Sequence, residues 1–372
     1  MAVKRALIVG GGIAGLSAAL ALDQAGIAAD VIELRTDRQV CPGGIVVHDT
    51  FLTAMERLGV LEAVLRAGFA YRGVRLLDLE GYVFDEIVGP PGARPSHLSL
   101  TRPALMQILS ARARAAGVSV RRPVTFIDMK ETPDGVDVTF TDGTRGRYDL
   151  VVGADGKASR MRHMMFGPVH RPQFTGQGVW RSIVLRPKGL DWAEMYLGKG
   201  DDRAGYIPLT AASMCVFAVT AEPGNPKFCA EELAYQFRQR LEGYGGLLAD
   251  LRDNEIGTGA RVLYHPLEAC TLPAPWHKGR MVLIGDAAHC VTSHLAQGAS
   301  LAVADAVALG AALGAHADLP DALAAFMAQR RADTVRPMVT SLALATHASR
   351  PADLERHVVR LKTAAERATA LL

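Results

Sequence analysis

What is scarce in this chain is informative first. Its 372 residues include five cysteines, at 41, 215, 229, 270 and 290, an odd and scattered set with no C-x-x-C pair. That pattern excludes a disulfide framework and a zinc site, so no metal is expected, and it points to reduced thiols in a cytoplasmic protein. Charge of one sign is also lacking. A net charge of +3 is too small to imply a nucleic acid or an anionic membrane as partner. The first apolar run is short and stops at Gly10, so no signal peptide is expected. The Ala-rich stretch from Ala299 to Leu313 contains Asp305 and is short for a membrane span; it reads as a buried core helix. Repeats and low-complexity tracts are absent. With 49% apolar and 21% charged residues the chain is an ordinary globular one, long enough for two domains.

The N-terminus is richer. Lys4-Arg5 lead into Ala6-Leu7-Ile8-Val9, the pattern of a strand buried on both faces. Gly10, Gly12 and Gly15 follow in the spacing G-x-G-x-x-G, and a helical pattern starts at Ile13-Ala14. The first glycine permits a tight turn, the second lets backbone approach a pyrophosphate, and the third lets helix pack close on strand. Free amides and the positive end of the helix dipole then face the phosphates. A second apolar strand runs from Ile27 to Glu33-Leu34-Arg35. An acid about twenty positions beyond the last glycine suits a ribose hydroxyl pair and repels a 2′-phosphate, so the site should hold FAD or NAD.

Two further strand ends carry the same kind of punctuation. Tyr148 to Gly153 reads as a buried strand closing on a turn at Asp155-Gly156, with Ser159, Arg160 and Arg162 just beyond. Met281 to Ile284 reads as another, closing on Gly285-Asp286. A loop with His289, Ser293 and His294 leads from there to Gln297 and a helix beginning at Gly298-Ala299-Ser300. Asp286 can accept hydrogen bonds from a ribityl chain, and the amides at 298–300 can meet negative charge developing on a ligand. Three strands that end in Gly or Asp suggest one crevice at the carboxyl edge of a parallel sheet.

Elsewhere the chain is expected to form a helix over 51–66 capped by Asp49-Thr50, and a hairpin over 73–85. A helix starting at Thr101-Arg102-Pro103 follows, then short strands near 118–120, 124–130, 136–140 and 147–152. From Phe174 to Thr220 the pattern turns to β-rich runs split by Gly, Pro and Asp, as in an antiparallel sheet. Helices are expected over 230–251, 319–345 and 352–371, the last with a Leu354, Val358, Leu361, Ala365 stripe.

Together, G-G-G-I-A-G with Glu33-Leu34-Arg35, A-D-G-K-A-S-R-M-R, and L-I-G-D-A-A-H with Q-G-A-S-L-A-V-A-D-A resemble the single-component FAD-dependent aromatic hydroxylases, the para-hydroxybenzoate and salicylate hydroxylase-like flavoprotein monooxygenases. The resemblance runs from residue 3 to about 345. It implies an α/β fold: a Rossmann-like βαβ FAD-binding domain of the glutathione-reductase kind (1–72, 96–168 and 269–330), an inserted, mainly antiparallel β-sheet substrate domain (73–95 and 169–268), and C-terminal helices (331–372) packing on the FAD domain. It implies non-covalent FAD over Gly10, Gly12 and Gly15, with Glu33 on the ribose and Arg35 beside it. Gly44, Ile45 and Val46 would lie along the flavin ring, Arg102 near the ribityl phosphate, and the Val124 backbone at adenine. Asp155 and Gly156 match a motif shared by FAD and NAD(P)H, Asp286 would take the ribityl side, and Gly298, Ala299 and Ser300 the pyrimidine edge. Where relatives carry a proline after G-D-A-A-H-x-x-x this chain has Ser293, and where they carry Asn after Q-G-x it has Ser300.

The chain holds one complete G-x-G-x-x-G, so NADH or NADPH is expected to dock transiently, as a co-substrate. The implied activity is NAD(P)H- and O₂-dependent hydroxylation of a small aromatic or N-heteroaromatic substrate through a flavin C4a-hydroperoxide. His48, Arg181, Tyr206, Ser293 and His294 are the polar candidates on the substrate side, while His289 is read as a brace. The alternatives are a reductase of isoprenoid double bonds, a halogenase, which should carry W-x-W-x-I-P where Trp180, Trp192 and Trp276 stand isolated, and a non-catalytic flavin-binding accessory protein. A homodimer stays open.

Overall fold

In the computed structural model the residues described are 3–36, 43–89, 92, 94–198, 200 and 202–346; the expected helix at 352–371 and its stripe lie outside them. A six-stranded sheet holds, in spatial order, His277–Lys278, Met281–Leu283, Leu150–Gly153, Arg5–Val9, Ala28–Ile32 and Ser119–Arg121. Its pairings are parallel except the edge pair at 277–283. Its central strands are buried on both faces, which is why Ala6 to Val9 and Leu150 to Val152 are unbroken apolar runs.

Helix Ile13–Gln24 and helix Gly298–Ala315 lie against each other. Their contact is made of small residues: a Cβ on Gly310 would stand 2.7 Å from the carbonyl oxygen of Ala21. Helix Gly298–Ala315 is long and apolar enough to cross a membrane, yet 56% of it is buried inside the protein. The Asp305 it carries is fully buried, where its carboxylate accepts from the Gly285 amide (2.7 Å), Arg330 Nε (2.7 Å) and His289 Nε2 (2.6 Å).

An eight-stranded sheet holds the second group of strands, in the order His289–Cys290, Val262–Thr271, Gln173–Leu185, Ser213–Ala221, Arg203–Pro208, Ala193–Leu197, Val74–Leu77 and Val83–Ile87. Only the contact between Val74–Leu77 and Ala193–Leu197 is parallel. The hairpin expected over 73–85 is therefore present, and it extends the sheet formed by the 173–221 strands. Helices Leu233–Arg240 and Gly246–Asn254 cover the far face.

Several local expectations needed correction. The helix expected at 51–66 is two, Asp49–Arg57 and Leu61–Ala67. Gly59 sits at φ +71 and its amide bonds Glu56, while the Val60 amide bonds Met55, a closure that ends the first helix. His48 stands at its N-cap, with Asp49 already helical. The strand expected at 147–152 is split at Asp149, whose Oδ2 accepts from the Lys4 and Arg5 amides at 2.8 and 2.9 Å. Its two halves thus belong to different sheets. The Thr101 cap is as expected: Oγ1 accepts from the Ala104 amide, with Pro103 in the first turn.

Candidate active site

The turn after Arg5–Val9 is shaped by contacts only glycine allows. Gly10 is at φ +110, and a Cβ there would fall 2.3 Å from the carbonyl oxygen of Ala154; on Gly15 it would fall 1.8 Å from that of Gly10. Gly12 is the N-cap of the helix that opens with Ile13-Ala14, whose first-turn amides have no intrahelical acceptor. Glu33 is aimed by two backbone donors, Gly11 to Oε2 at 2.9 Å and Arg35 to Oε1 at 2.8 Å. One lone pair on each oxygen is left for a pair of hydroxyls. The Val124 amide donates to the Glu33 carbonyl at 3.0 Å, so Val124 flanks this end of the cradle. Leu34 is 60% exposed and Arg35 is at the surface as well.

A cavity of about 510 Å³ runs from this cradle to the eight-stranded sheet. At its near end are Gly12, Ile13, Ala14, Gly156, Asp286 and the helix start at Gly298-Ala299. Gly44, Ile45 and Val46 form one flank with Arg102. Asp286 sits in a tight turn after Gly285 (φ +59), and its carboxylate accepts no hydrogen bond among the described residues. Burial pushes that carboxyl up from the usual range, against the pull of His289, Arg102, Lys157 and Arg162. Ser300, the third residue of that helix, is buried, and its hydroxyl has no partner among the described residues.

Asp155 is placed differently from the other acids. Its Oδ1 accepts from Ser159 Oγ (2.6 Å) and its Oδ2 from the Met161 amide (3.0 Å), so it organises the start of helix Arg160–Phe166. Its neighbours Ala154 and Gly156 face the cavity; Asp155 itself does not line it. Buried Arg162 clips the same turn to the Asp286 loop, donating to the carbonyls of Ala287 (3.0 Å), Asp286 (3.3 Å) and His170 (2.9 Å), and to that of Lys157 (2.6 Å).

The substrate-side candidates divide. Arg181 lines the cavity from strand Gln173–Leu185. His48 lines it too; it bonds the backbone at Leu295, its Nε2 has no partner among the described residues, and burial pushes its pKa down, favouring the neutral ring. Ser293 and His294 reach the cavity from a short 3₁₀ turn. Both His294 nitrogens are taken, by Thr292 Oγ1 (2.9 Å) and Gln177 Oε1 (3.0 Å), so it braces that turn against the sheet. Tyr206 needs correction. Strand Arg203–Pro208 turns Arg203 and Ile207 to the cavity, and the two-residue period puts Tyr206 on the other face, in the core with Trp180 and Tyr196. Its hydroxyl donates to Glu194 there.

Sequence reasoning missed Arg203, Tyr71 and His97, all on the cavity wall. Arg203 is buried at 4% exposure in an otherwise small and apolar strand, a signal that was available. Tyr71 and His97 stack with ring centroids 5.4 Å apart, and the Gly89 amide donates to His97 Nε2 at 3.1 Å. Nothing local marks them, since they meet only in three dimensions.

A glycine cradle, an aimed ribose acid and a second acid at the carboxyl edge of the same parallel sheet define an FAD-binding flavoprotein, and the chain belongs to the FAD binding domain family, whose model matches residues 4–339. Within that family it is an FAD-dependent monooxygenase. It is 31% identical over 340 residues to the 2-heptyl-3-hydroxy-4(1H)-quinolone synthase of Pseudomonas aeruginosa, covering 88% of this chain and 85% of that protein. It is 30% identical over 340 residues to the aurachin C monooxygenase/isomerase of Stigmatella aurantiaca, covering 87% and 84%. Klebsiella pneumoniae HpxO, crystallised with FAD and uric acid, has the same fold, with a TM-score of 0.84 at 24% identity over 98% of this chain and 93% of that one. FAD is the cofactor, and the residues present fit it: open space at Gly12, where a Cβ would meet no described atom within 4 Å, and a half-buried Asp286 whose carboxylate has no hydrogen-bond partner among the described residues.

Proposed function

We propose that the enzyme hydroxylates a small aromatic or N-heteroaromatic compound, with NADH or NADPH as a transient reductant and O₂ as the oxygen source. The observation that carries this is the continuous cavity of about 510 Å³ joining the cradle to an apolar sheet wall, room for a flavin ring and a flat substrate side by side. Bound FAD supplies hydride acceptance and O₂ activation. The chain supplies the rest. Gly10, Gly12, Gly15 and the amides of Ile13-Ala14 hold the pyrophosphate, Glu33 the ribose with Arg35 and Val124 beside it, and Asp286 and Arg102 the ribityl side. Gly44 to Val46 flank the ring, and the amides at Gly298, Ala299 and Ser300 meet negative charge at its pyrimidine edge. The sheet wall, with Val179, Met195, Ile207 and Phe217, excludes water. Neutral His48 can accept a proton from a ring hydroxyl, which makes the ring electron-rich.

The division into an FAD domain (1–72, 96–168, 269–330) and a substrate domain (73–95, 169–268) follows from the same reading, with the cavity at their junction. Among the described residues Cys215, Cys229, Cys270 and Cys290 form no disulfide, which supports the reading of a reducing, cytoplasmic setting. The test is a screen of aromatic acids, phenols and pyridines for stimulated NAD(P)H oxidation under isotopically labelled O₂. Labelled product is expected. NAD(P)H oxidation that never places label in an aromatic product rejects the reading.

A further inference from the structure

We propose that the substrate's ring carries an extended apolar substituent, an alkyl or isoprenoid chain, and that this chain lies in the corner of the cavity lined by Val74, Leu76, Ile87, Ala193 and Met195. This rests on the reading of the cavity as the place of aromatic hydroxylation. Strand register builds the corner. Val74 stands opposite Ile87 on one neighbouring strand and Ala193 on the other, and Leu76 stands opposite Met195. All five line the cavity from one face, in two rows across three strands. Leu295, from the 3₁₀ turn that borders the cavity, packs with Met195 on Leu197. Tyr71 and His97 stand at the approach to strand Val74–Leu77, and burial pushes the His97 and His48 imidazoles down, favouring their neutral forms.

The charged groups of the cavity lie outside this corner or are already held. Arg181 stands opposite Phe217 and Leu263, and Arg203 opposite Leu197 and Val219, so both project from strands beyond it. Asp286 belongs to the cradle. Glu194 borders the corner between Ala193 and Met195, but its carboxylate accepts from the Tyr206 hydroxyl and lies 3.6 Å from Arg75. From the strand of Phe217 to that of Ile87 the wall crosses four strand spacings, about 19 Å, more than a bicyclic ring covers. A ring lying against Phe217 or Ile207 therefore leaves the corner bare. Water there meets apolar side chains, and a polar substituent would give up its hydration without gaining partners. A hydrocarbon chain displaces that water and asks for no partner.

The experiment uses purified holoenzyme and follows the oxidised-flavin absorbance during titration with two series, para-alkylphenols and alkyl-hydroxyquinolines, each with methyl, butyl and hexyl chains. Wild type is expected to bind the hexyl member of at least one series about 30-fold or more tighter than its methyl member. Val74 and Ile87 are half-buried and face the cavity, so bulk added there enters the cavity and not the core. In Val74→Phe and in Ile87→Trp that ratio should fall to about 3-fold or less, with retained FAD reporting an intact fold. Val74→Thr, close in volume but with a hydroxyl, should lower the ratio part-way, and it decides the matter if both bulky variants lose FAD. Two results overturn the proposal: affinity that does not rise with chain length in either series, or a rise that survives these substitutions undiminished. Binding is read without turnover, so failure of the hydroxylation reading shows separately, as long-chain compounds that bind tightly and are never oxygenated.

Discussion

The two ends of the cavity are built by different means. The cradle is mostly backbone: glycines that allow carbonyls to approach, helix starts with free amides, and tight turns that place Glu33 and Asp286. The sheet wall is side chains, projected at alternate positions from strands whose neighbours lie far away in sequence. At Gly10 and Gly15 the backbone tolerates almost no substitution, because an added Cβ meets main chain. A side-chain wall can be relined one residue at a time. The same contrast explains how one cofactor site can serve many ring compounds.

That comparison can be broken at its strong end first. Gly15→Val places a branched side chain where even a Cβ falls 1.8 Å from the Gly10 carbonyl oxygen. The expected product is a protein purified without flavin, with FAD affinity lowered more than about 100-fold and a lower Tm, read by flavin absorbance and thermal melting. Asp286→Ala removes a half-buried acid that has no hydrogen-bond partner among the described residues; FAD binding should fall by about 2–3 kcal/mol. If Asp286→Ala retains FAD at wild-type affinity, the ribityl assignment fails.

At the wall the effects should be smaller and confined to coupling. His48→Ala is expected to keep FAD while NAD(P)H oxidation separates from product formation; full coupling in that variant removes His48 from the chemistry. The same residue sets a pH effect. Burial holds the His48 and His97 pKa values below the ordinary value of about 6.5, so the unfolded chain binds those protons more readily. Their contribution to stability is intact above about pH 6.5 and is lost as pH falls below it. His48→Asn should flatten that part of the Tm-against-pH curve. The smallest effect is expected of Tyr206→Phe. Facing the core beyond the wall, it should leave FAD content and coupling untouched and cost about 1–2 kcal/mol of stability through the lost Glu194 bond. A coupling defect there would place it in the cavity after all.

Legibility followed the same divide. Gly10, Gly12, Gly15, Glu33 and Asp286 could be read because their geometry is fixed by neighbours within a few residues, and the motif is the structure. Asp155 shows the limit of such reading: the turn is where the motif puts it, while the carboxylate is spent on the following helix. On the sheet, period two tells which residues share a face but not which face is the cavity, and so Tyr206 was assigned to the wrong side of Arg203. The Asp305–His289–Arg330 cluster was half visible. A lone acid in an apolar helix demands partners, and only the fold could supply their names.

The Arg162 clip sets an order of events during synthesis. Its guanidinium closes on carbonyls 124 and 125 residues further along the chain, and Asp286 and the amides at 298–300 come from that same late stretch. A nascent chain that has emerged only as far as helix Gly246–Asn254 already owns its glycine turn, Glu33, Gly44 to Val46 and Arg102, yet lacks Asp286 and the amides at 298–300 proposed to meet the ribityl chain and the pyrimidine edge. With Asp286 and the 298–300 amides holding the flavin as proposed, capture of FAD waits until that stretch has emerged. Cells short of FAD should accumulate a finished but empty polypeptide, rather than one stalled part-way through folding.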